Sequence, residues 1–278
     1  MKRTFSIIGG DLRSLKLAEL IREDNHIVNT YGFDDNNINT KKVISNEIQQ
    51  NKLGEINELN CIIQESDVVI GPLPCSNDNE TINAPFFLEK IYINDVFKAM
   101  NKNQLFLAGR ISSKISHLAE VYSVYTIDIL NREEMAVLNA IPTAEGALQI
   151  AMEEMHITLH DSNALVMGFG RVGKILAKML YGIGANTFVE ARKYSDIAWI
   201  KSYNYKPVVI SELEKYLPYM NVVFNTIPAL VLDEKRLNML KKDSLVIDLA
   251  SKPGGVDFEK AKELGLKTIW ALSLPGKV

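Results

Sequence analysis

Cysteine is nearly missing from this chain: Cys61 and Cys75 are the only two in 278 residues. Two isolated cysteines exclude a disulfide-stapled scaffold and point to a reducing compartment. Long apolar runs are missing too, since none approaches the roughly 20 residues of a membrane-spanning helix. The N-terminal "MKRTFSIIGGDLR" offers too short an apolar stretch for a secretion signal, and Asp11 soon interrupts it. An excess of one charge is also absent. A net charge of −3 supplies no basic surface for nucleic acid or for an anionic membrane. No metal site is expected. What remains is an ordinary globular composition, 47% hydrophobic and 23% charged, at a length that suits two domains. The expected location is the cytoplasm.

In the first half, short apolar runs alternate with helical patterns. Candidate strands are Thr4–Ile8, Ile27–Phe33, Asp67–Gly71, Gln104–Ala108 and Val121–Ile127. Between the first two, Leu12, Leu15, Leu17, Leu20 and Ile21 recur at helical spacing. Strand, helix, strand at this rhythm implies a doubly wound parallel sheet. Pro72–Pro85 is rich in Asn, Asp and Pro and is expected to be a long loop after a strand, where open α/β sheets bind ligands. In "NAIPTAEGALQIAMEEM", Pro142 suits a helix start and Ala147, Ile150, Ala151 and Met155 form an apolar stripe. The second half carries candidate strands at Ala164–Gly168, Thr187–Ala191, Pro207–Ile210, Val222–Thr226, Leu245–Leu249 and Lys267–Ala271. The expected fold is α/β: two doubly wound Rossmann-like domains with parallel sheets, 1–138 and 161–278, joined by a linking helix over 139–160.

The second domain opens on "VMGFGRVGKILAKML", with Gly168, Gly170 and Gly173 in the spacing of a dinucleotide loop. Such spacing is informative only between a strand and a helix. Here "NALVMG" is a continuous apolar run, as a buried parallel strand should be. Val172, Ile175, Leu176, Met179 and Leu180 then form an amphipathic helix, closed by Gly182 and Gly184. Gly168 permits the turn, Gly170 admits the pyrophosphate, and Gly173 lets helix and strand pack closely. The helix N-terminus presents free N–H groups to phosphate, and Arg171 adds a charge, with Phe169 and Val172 completing the loop.

The next strand ends in "VEARKYS". An NAD site places a carboxylate there for the ribose 2′-hydroxyl, whereas a 2′-phosphate calls for arginine. Side chains alternate along a strand, so Glu190 and Ala191 are not expected to face the ribose together. The small Ala191 at the carboxylate position, followed by Arg192 and Lys193, favours NADP, with NAD as the alternative and a solvated turn as the plain explanation. Asn225, Thr226, Ile227 and Pro228 in "VVFNTIP", and Ala250 in "VIDLASKPGG", should complete the coenzyme site from later strand ends. Asp248 is open to a functional role or to bonding its own loop.

The residues for hydride chemistry are less distinct. A 2-hydroxy-acid dehydrogenase expects a histidine from or just after the coenzyme domain. The four histidines are His26, His117, His156 and His160, none of them later in the chain. The Asn-Val-Thr-x-Pro-x-Lys stretch of shikimate-type dehydrogenases is also missing. However, "IIGGDLR", "AIPTAEGAL", "GFGRVGK", "NTIPALVL", "DLASKPGGVDF" and "LPGKV" occur in order along the chain. Together they resemble the A subunits of dipicolinate synthase over nearly the whole sequence. The resemblance implies an NAD(P)-dependent oxidoreductase that converts a dihydrodipicolinate-type product of the lysine pathway to dipicolinate. It further implies the flavoprotein-like B subunit of that enzyme as partner, a homodimer or hetero-oligomer, and the mother cell of a sporulating bacterium. Members of that family continue past "LPGKV" into a further helix, whereas this sequence ends at Val278.

A small cyclic dicarboxylate calls for Arg, Lys, hydroxyl or backbone N–H donors. The candidates are Arg13, Arg110, Ser112, Ser113 and Thr143, with Glu145 and Asp11 as the carboxylates able to act as base. Each carboxylate and Arg110 has a plainer explanation: Asp11 as a helix cap, Arg110 as a surface ion pair, Glu145 as a first-turn acid. Another small-acid dehydrogenase, or a partner subunit that binds NADP without catalysis, remain alternatives.

Overall fold

A computed structural model describes residues 1–33 and 56–276. They divide into two units, Met1–Glu133 and Glu134–Val278. The last two residues of the "LPGKV" stretch lie outside the described residues.

The first unit is built on strands β1 (Thr4–Ile8), β2 (Ile27–Tyr31), β3 (Val68–Ile70), β4 (Leu105–Ala108) and β5 (Tyr125–Asp128). They run parallel in the order β2-β1-β3-β4-β5. Helices α1 (Leu12–Glu23), α2 (Ile56–Gln64), α3 (Ile93–Ala99) and α4 (Ser113–Val121) lie among them in sequence. Strand alternation supplies two cores. Ile7 packs with Ala18 of α1 and Val28, whereas its neighbour Ile8 joins Val69, Phe97 and Phe106. The order reverses between β1 and β3, which opens a crevice at the carboxyl ends of those strands.

One expected boundary moves here. Val121, read as the start of a strand, is the last residue of α4, and β5 begins at Tyr125. The Ser112 side chain accepts from the Ile115 amide and starts the helix, and buried Ile115 and Ala119 hold it to its end. Ser123, at φ +59°, then makes the turn into the strand.

The second unit opens with α5 (Glu133–Glu154) and continues with β6 (Asn163–Met167), α6 (Arg171–Ile183), β7 (Asn186–Ala191), α7 (Tyr194–Ser202) and β8 (Lys206–Val209). It closes with α8 (Leu213–Tyr216), β9 (Val222–Asn225), α9 (Glu234–Leu237), β10 (Leu245–Asp248), α10 (Phe258–Glu263) and β11 (Lys267–Trp270). The strands run parallel in the order β11-β10-β9-β6-β7-β8. That is the doubly wound dinucleotide-binding order. Both faces are covered. Val166, Phe224 and Ile247 meet Leu176 and Leu180 of α6 on one side, while Leu165, Val223 and Val246 meet Leu213 and Leu237 on the other. Burying Leu176 completely contributes on the order of 2 kcal/mol. Helix α6 ends at Gly184, whose φ of +89° is the left-handed stop expected of that residue.

Pro142 does not begin a helix. It lies inside α5, where its missing N–H and ring oppose helical geometry. Buried Ala140 before it and Ala144, Ala147 and Leu148 after it carry the helix across. Thr143 Oγ1 donates to the carbonyl of Asn139 at 2.8 Å, one turn back.

Candidate functional site

Each glycine after β6 has a distinct steric reason. Gly168 has φ +92°, and a Cβ there would stand 2.6 Å from Thr226 Oγ1. A Cβ on Gly173 would stand 2.0 Å from the carbonyl oxygen of Gly168, so only glycine lets α6 approach the strand. Gly170 differs: nothing lies within 4 Å of where its Cβ would be. It caps the 13-residue helix α6 without a side-chain bond, so no cap side chain covers the positive end of the helix. A loop that is tight beneath, bare above and electropositive at its helix end fits a pyrophosphate. Thr226, at the end of β9, holds the far side: its Oγ1 donates to the carbonyl of Met167 at 2.8 Å.

Beside this loop lies a cavity of about 370 Å³ at the divergence of β6 and β9. Gly168, Phe169, Gly170, Ala191, Arg192, Lys193, Thr226, Ile227 and Pro228 line it, all expected from the sequence. Glu190 and Asp196 line it as well and were not expected. Lys174 adds a cation 5.2 Å from the centre of the Phe169 ring.

Glu190 departs most from expectation. Alternation along β7 predicted that Glu190 and Ala191 would not share a site, yet both border the cavity. The Gly168 loop passes close to the end of β7, and Glu190 reaches it: Oε2 accepts from the Gly168 amide at 3.1 Å, while Gly168 N also reaches the Glu190 carbonyl at 3.2 Å. The side chain is 1% exposed, and Oε1 is buried without a hydrogen-bond partner. Burial pushes this carboxyl above its ordinary value, against the opposing pull of the Gly168 amide and of the Arg192 and Arg236 charges. A glutamate spaced correctly from the glycines was the only sequence signal for it.

Other expected coenzyme residues act behind the cavity. Asn225 is fully buried; its amide donates to the Ile227 carbonyl and to Asp248 Oδ1, and its oxygen accepts from Ile227 N. It shapes the loop that presents Thr226 to Pro228 and does not face the cavity. Asp248 resolves to loop bonding, accepting from the Asn225 amide and from the backbone of Ala250 and Gly255. Ala250 is buried, its amide on Asp248 and its carbonyl on Trp270 Nε1. Gly173 serves packing of α6, Val172 is partly buried in its first turn, and exposed Arg171 stands at its first position.

In the first unit, Asp11 and Arg13 come together at the sheet crossover. Asp11 caps α1 by accepting from Arg13 N at 3.0 Å, and its carboxylate meets the Arg13 guanidinium at 2.7 Å. Arg13 Nη2 also donates to the Leu73 carbonyl at 2.8 Å, bridging the segments after β1 and β3. Burial works to raise the Asp11 carboxyl, but its bonds to Arg13 outweigh it and hold the group below its ordinary value. Arg110 and Ser112 follow β4. Arg110 has φ +60°, and Asp128 at the end of β5 fixes it by accepting from the amides of Arg110, Ile111 and Leu130. Ser112 is occupied as the N-cap of α4, and Ser113 is its first residue. Thr143 and exposed Glu145 are on α5, in the second unit.

Two parallel doubly wound domains, one carrying a dinucleotide cradle, define the class: a two-domain, nicotinamide-nucleotide-binding, dehydrogenase-like protein. The particular likeness is to the A subunit of dipicolinate synthase, and it runs the length of the chain. Residues 4–130 match the family described as the N-terminal domain of the dipicolinate synthase A subunit. Residues 138–255 match D-isomer specific 2-hydroxyacid dehydrogenase, NAD binding domain. The dipicolinate synthase A subunit of Bacillus subtilis (strain 168) is 27% identical over 274 residues, covering 98% of this chain and 89% of the relative. The crystal structure of the Bacillus subtilis protein superposes with a TM-score of 0.87 at 26% identity, over 100% of this chain and 90% of that one. The corresponding protein from Bacillus halodurans gives 0.86 at 28% identity, over 99% and 91%. Among the described residues, no helix is long and apolar enough to cross a membrane.

Proposed function

We propose that the chain is the dehydrogenase component of a dipicolinate-forming enzyme, oxidising a dihydrodipicolinate-type dicarboxylate with NADP. It works with a flavoprotein-like second component, in the cytoplasm of a sporulating cell. The observation that carries the coenzyme choice is the pair of cations Arg192 and Lys193 at the cavity, next to the small Ala191 and to a Glu190 carboxylate that is turned onto the Gly168 amide. When bound, NADP supplies the hydride acceptor. The substrate loses a hydride from one ring atom and a proton from its neighbour, and the product is an aromatic dicarboxylate, NADPH and a proton.

In the first unit the Arg13 guanidinium is engaged by Asp11 and the Leu73 carbonyl, while Asp128 fixes the backbone of Arg110. Arg110 is therefore the first guanidinium we assign to a substrate carboxylate, with Arg13 joining it only by giving up part of its pairing with Asp11. Aromatisation drives the reaction, so a modest base suffices. Asp11 is engaged by Arg13 and lowered in basicity, which leaves Glu145 as the base we assign. The engagement of Asp11 is also what favours the second reading, a partner protein that binds NADP without turnover.

The test combines the purified chain, with and without a candidate second component, with freshly generated dihydrodipicolinate precursor and each coenzyme. Reduced coenzyme appearing together with dipicolinate is the expected result. Tight NADP binding without turnover under every combination would sink the catalytic assignment and leave the second reading.

A further inference from the structure

Arg110 is out of place among the left-handed residues of this chain. Seven described residues other than glycine have positive φ, and six of them are Asn, Asp or Ser. Short polar side chains of that kind suit the conformation because they bond locally. The seventh is Arg110, at φ +60°. Its side chain is exposed, and among the described residues no hydrogen bond or ion pair engages the guanidinium. The Arg13 guanidinium, by contrast, is already taken by Asp11 and the Leu73 carbonyl.

Two neighbouring segments hold this unfavourable turn. From the end of β5, Asp128 Oδ1 accepts from Arg110 N at 3.0 Å and Leu130 N at 2.9 Å. Its Oδ2 accepts from Ile111 N at 2.8 Å. From the segment after β3, the Pro72 carbonyl accepts from Gly109 N, and Cys75 N donates to the Gly109 carbonyl. A Cβ on Gly109 would stand 1.6 Å from Leu73 Cδ1, so the two segments lie in close contact. A strained backbone that its surroundings enforce, beneath an unpaired cation, points to function at that side chain.

We propose that Asp128 is a positioning residue for dicarboxylate binding: by holding three amides it keeps Arg110 left-handed and fixes the mount from which the guanidinium meets a substrate carboxylate. This rests on the assignment of Arg110 to the substrate. Asp128 acts through Arg110 and needs no contact with the ligand. Its contribution is preorganisation, since a turn fixed in advance loses little freedom when the carboxylate arrives. The strain at Arg110 is then a cost in stability that the site carries for binding.

Calorimetric titration of the intact chain with pyridine-2,6-dicarboxylate, and separately with NADP, tests this, with thermal melting as a check on folding. Arg110→Asn suits the left-handed turn and removes the guanidinium. It should melt no lower than the wild type and bind the dicarboxylate at least about tenfold more weakly. Asp128→Asn keeps one acceptor oxygen but turns an NH2 group toward the Ile111 amide. It should weaken dicarboxylate binding by about tenfold and leave NADP affinity unchanged. Asp128→Glu, which keeps both acceptor oxygens, should lose less. In the Arg110→Asn background, Asp128→Asn should have no further effect on the dicarboxylate, a coupling that a residue serving stability alone does not produce. Wild-type dicarboxylate affinity in Asp128→Asn overturns the proposal and leaves Arg110 as a substrate residue. A parallel loss of NADP affinity, a larger loss in Asp128→Glu, or an undiminished effect in the Arg110→Asn background overturns it as well. Undiminished dicarboxylate binding by Arg110→Asn overturns the assignment of Arg110 and the proposal together. A wild type that does not bind the dicarboxylate overturns the substrate reading and, with it, the proposal.

Discussion

Asn225 and Asp248 meet at 2.8 Å across the ends of two paired strands, both side chains fully buried. Asp248 also accepts from the amides of Ala250 and Gly255, so one carboxylate organises two loops. Asp248→Ala leaves three donors unsatisfied in the interior and should destabilise the second unit by about 3 kcal/mol. Denaturant unfolding measures it; a loss below about 1 kcal/mol would show that water or rearrangement replaces the carboxylate.

Three glycines of one helix region should respond differently to alanine. Gly173→Ala places a methyl 2.0 Å from the Gly168 carbonyl and should impair folding and dinucleotide binding together. Gly170→Ala meets nothing in the protein, so it should melt as the wild type does and bind dinucleotide weakly. Gly182→Ala, inside α6 with open space around it, should gain about 0.5–1 kcal/mol. A Gly170→Ala protein that binds as tightly as the wild type would remove the pyrophosphate from that loop.

Arg192→Asp replaces a cation at the cavity with a carboxylate. NADP affinity should fall by at least about tenfold, the loss of one charge-assisted contact, while NAD affinity holds or improves. The ratio of the two dissociation constants is the readout, and an unchanged ratio contradicts the 2′-phosphate contact.

Stability should depend on pH with opposite sign at Asp11 and Glu190. The Asp11 carboxyl is held below its ordinary value of 3.8, so its contribution is present above that value and disappears as pH falls through the lowered one. Asp11→Ala should therefore cost about 1 kcal/mol at neutral pH, mostly the helix cap, and less in acid. Glu190 is raised above its ordinary 4.5, so the folded state holds its proton more strongly than the unfolded chain does. Its penalty is absent below 4.5 and grows as pH rises through the shifted value. Glu190→Gln should thus gain stability relative to wild type as pH rises from 4.5, a trend that unfolding curves across roughly pH 4–8 would display. A gain that is the same at every pH would mean that ionisation of Glu190 is not the cause.

Much of the fold was legible because buried parallel strands are apolar runs, and eleven such runs at regular intervals admit few architectures. Local chemistry decided the points that were misread. Val121 belongs to a helix because Ser112 caps it, and a β-branched residue at a helix end resembles a strand start. Pro142 looked like a beginning because its ring suits one, whereas buried alanines on either side decide its place. In the coenzyme site, residues that point outward from a loop were found from spacing alone. Asn225 was assigned to the coenzyme because a strand end next to a glycine loop does not reveal whether its amide turns outward or back. Glu190 was passed over because alternation treats a strand as isolated, while the loop of the neighbouring strand crosses its end.

The cavity's lining comes from three stretches far apart in the chain, near residues 168–170, 190–196 and 226–228. They meet only where the sheet changes direction, at the seam between β6 and β9. A bound dinucleotide would therefore behave as a rivet across that seam, linking two halves of a sheet that are assembled from opposite ends of the unit. Amides of β6 and β9 should exchange with deuterium more slowly once it is in place, and those of β8 and β11, at the sheet's two margins, should change least.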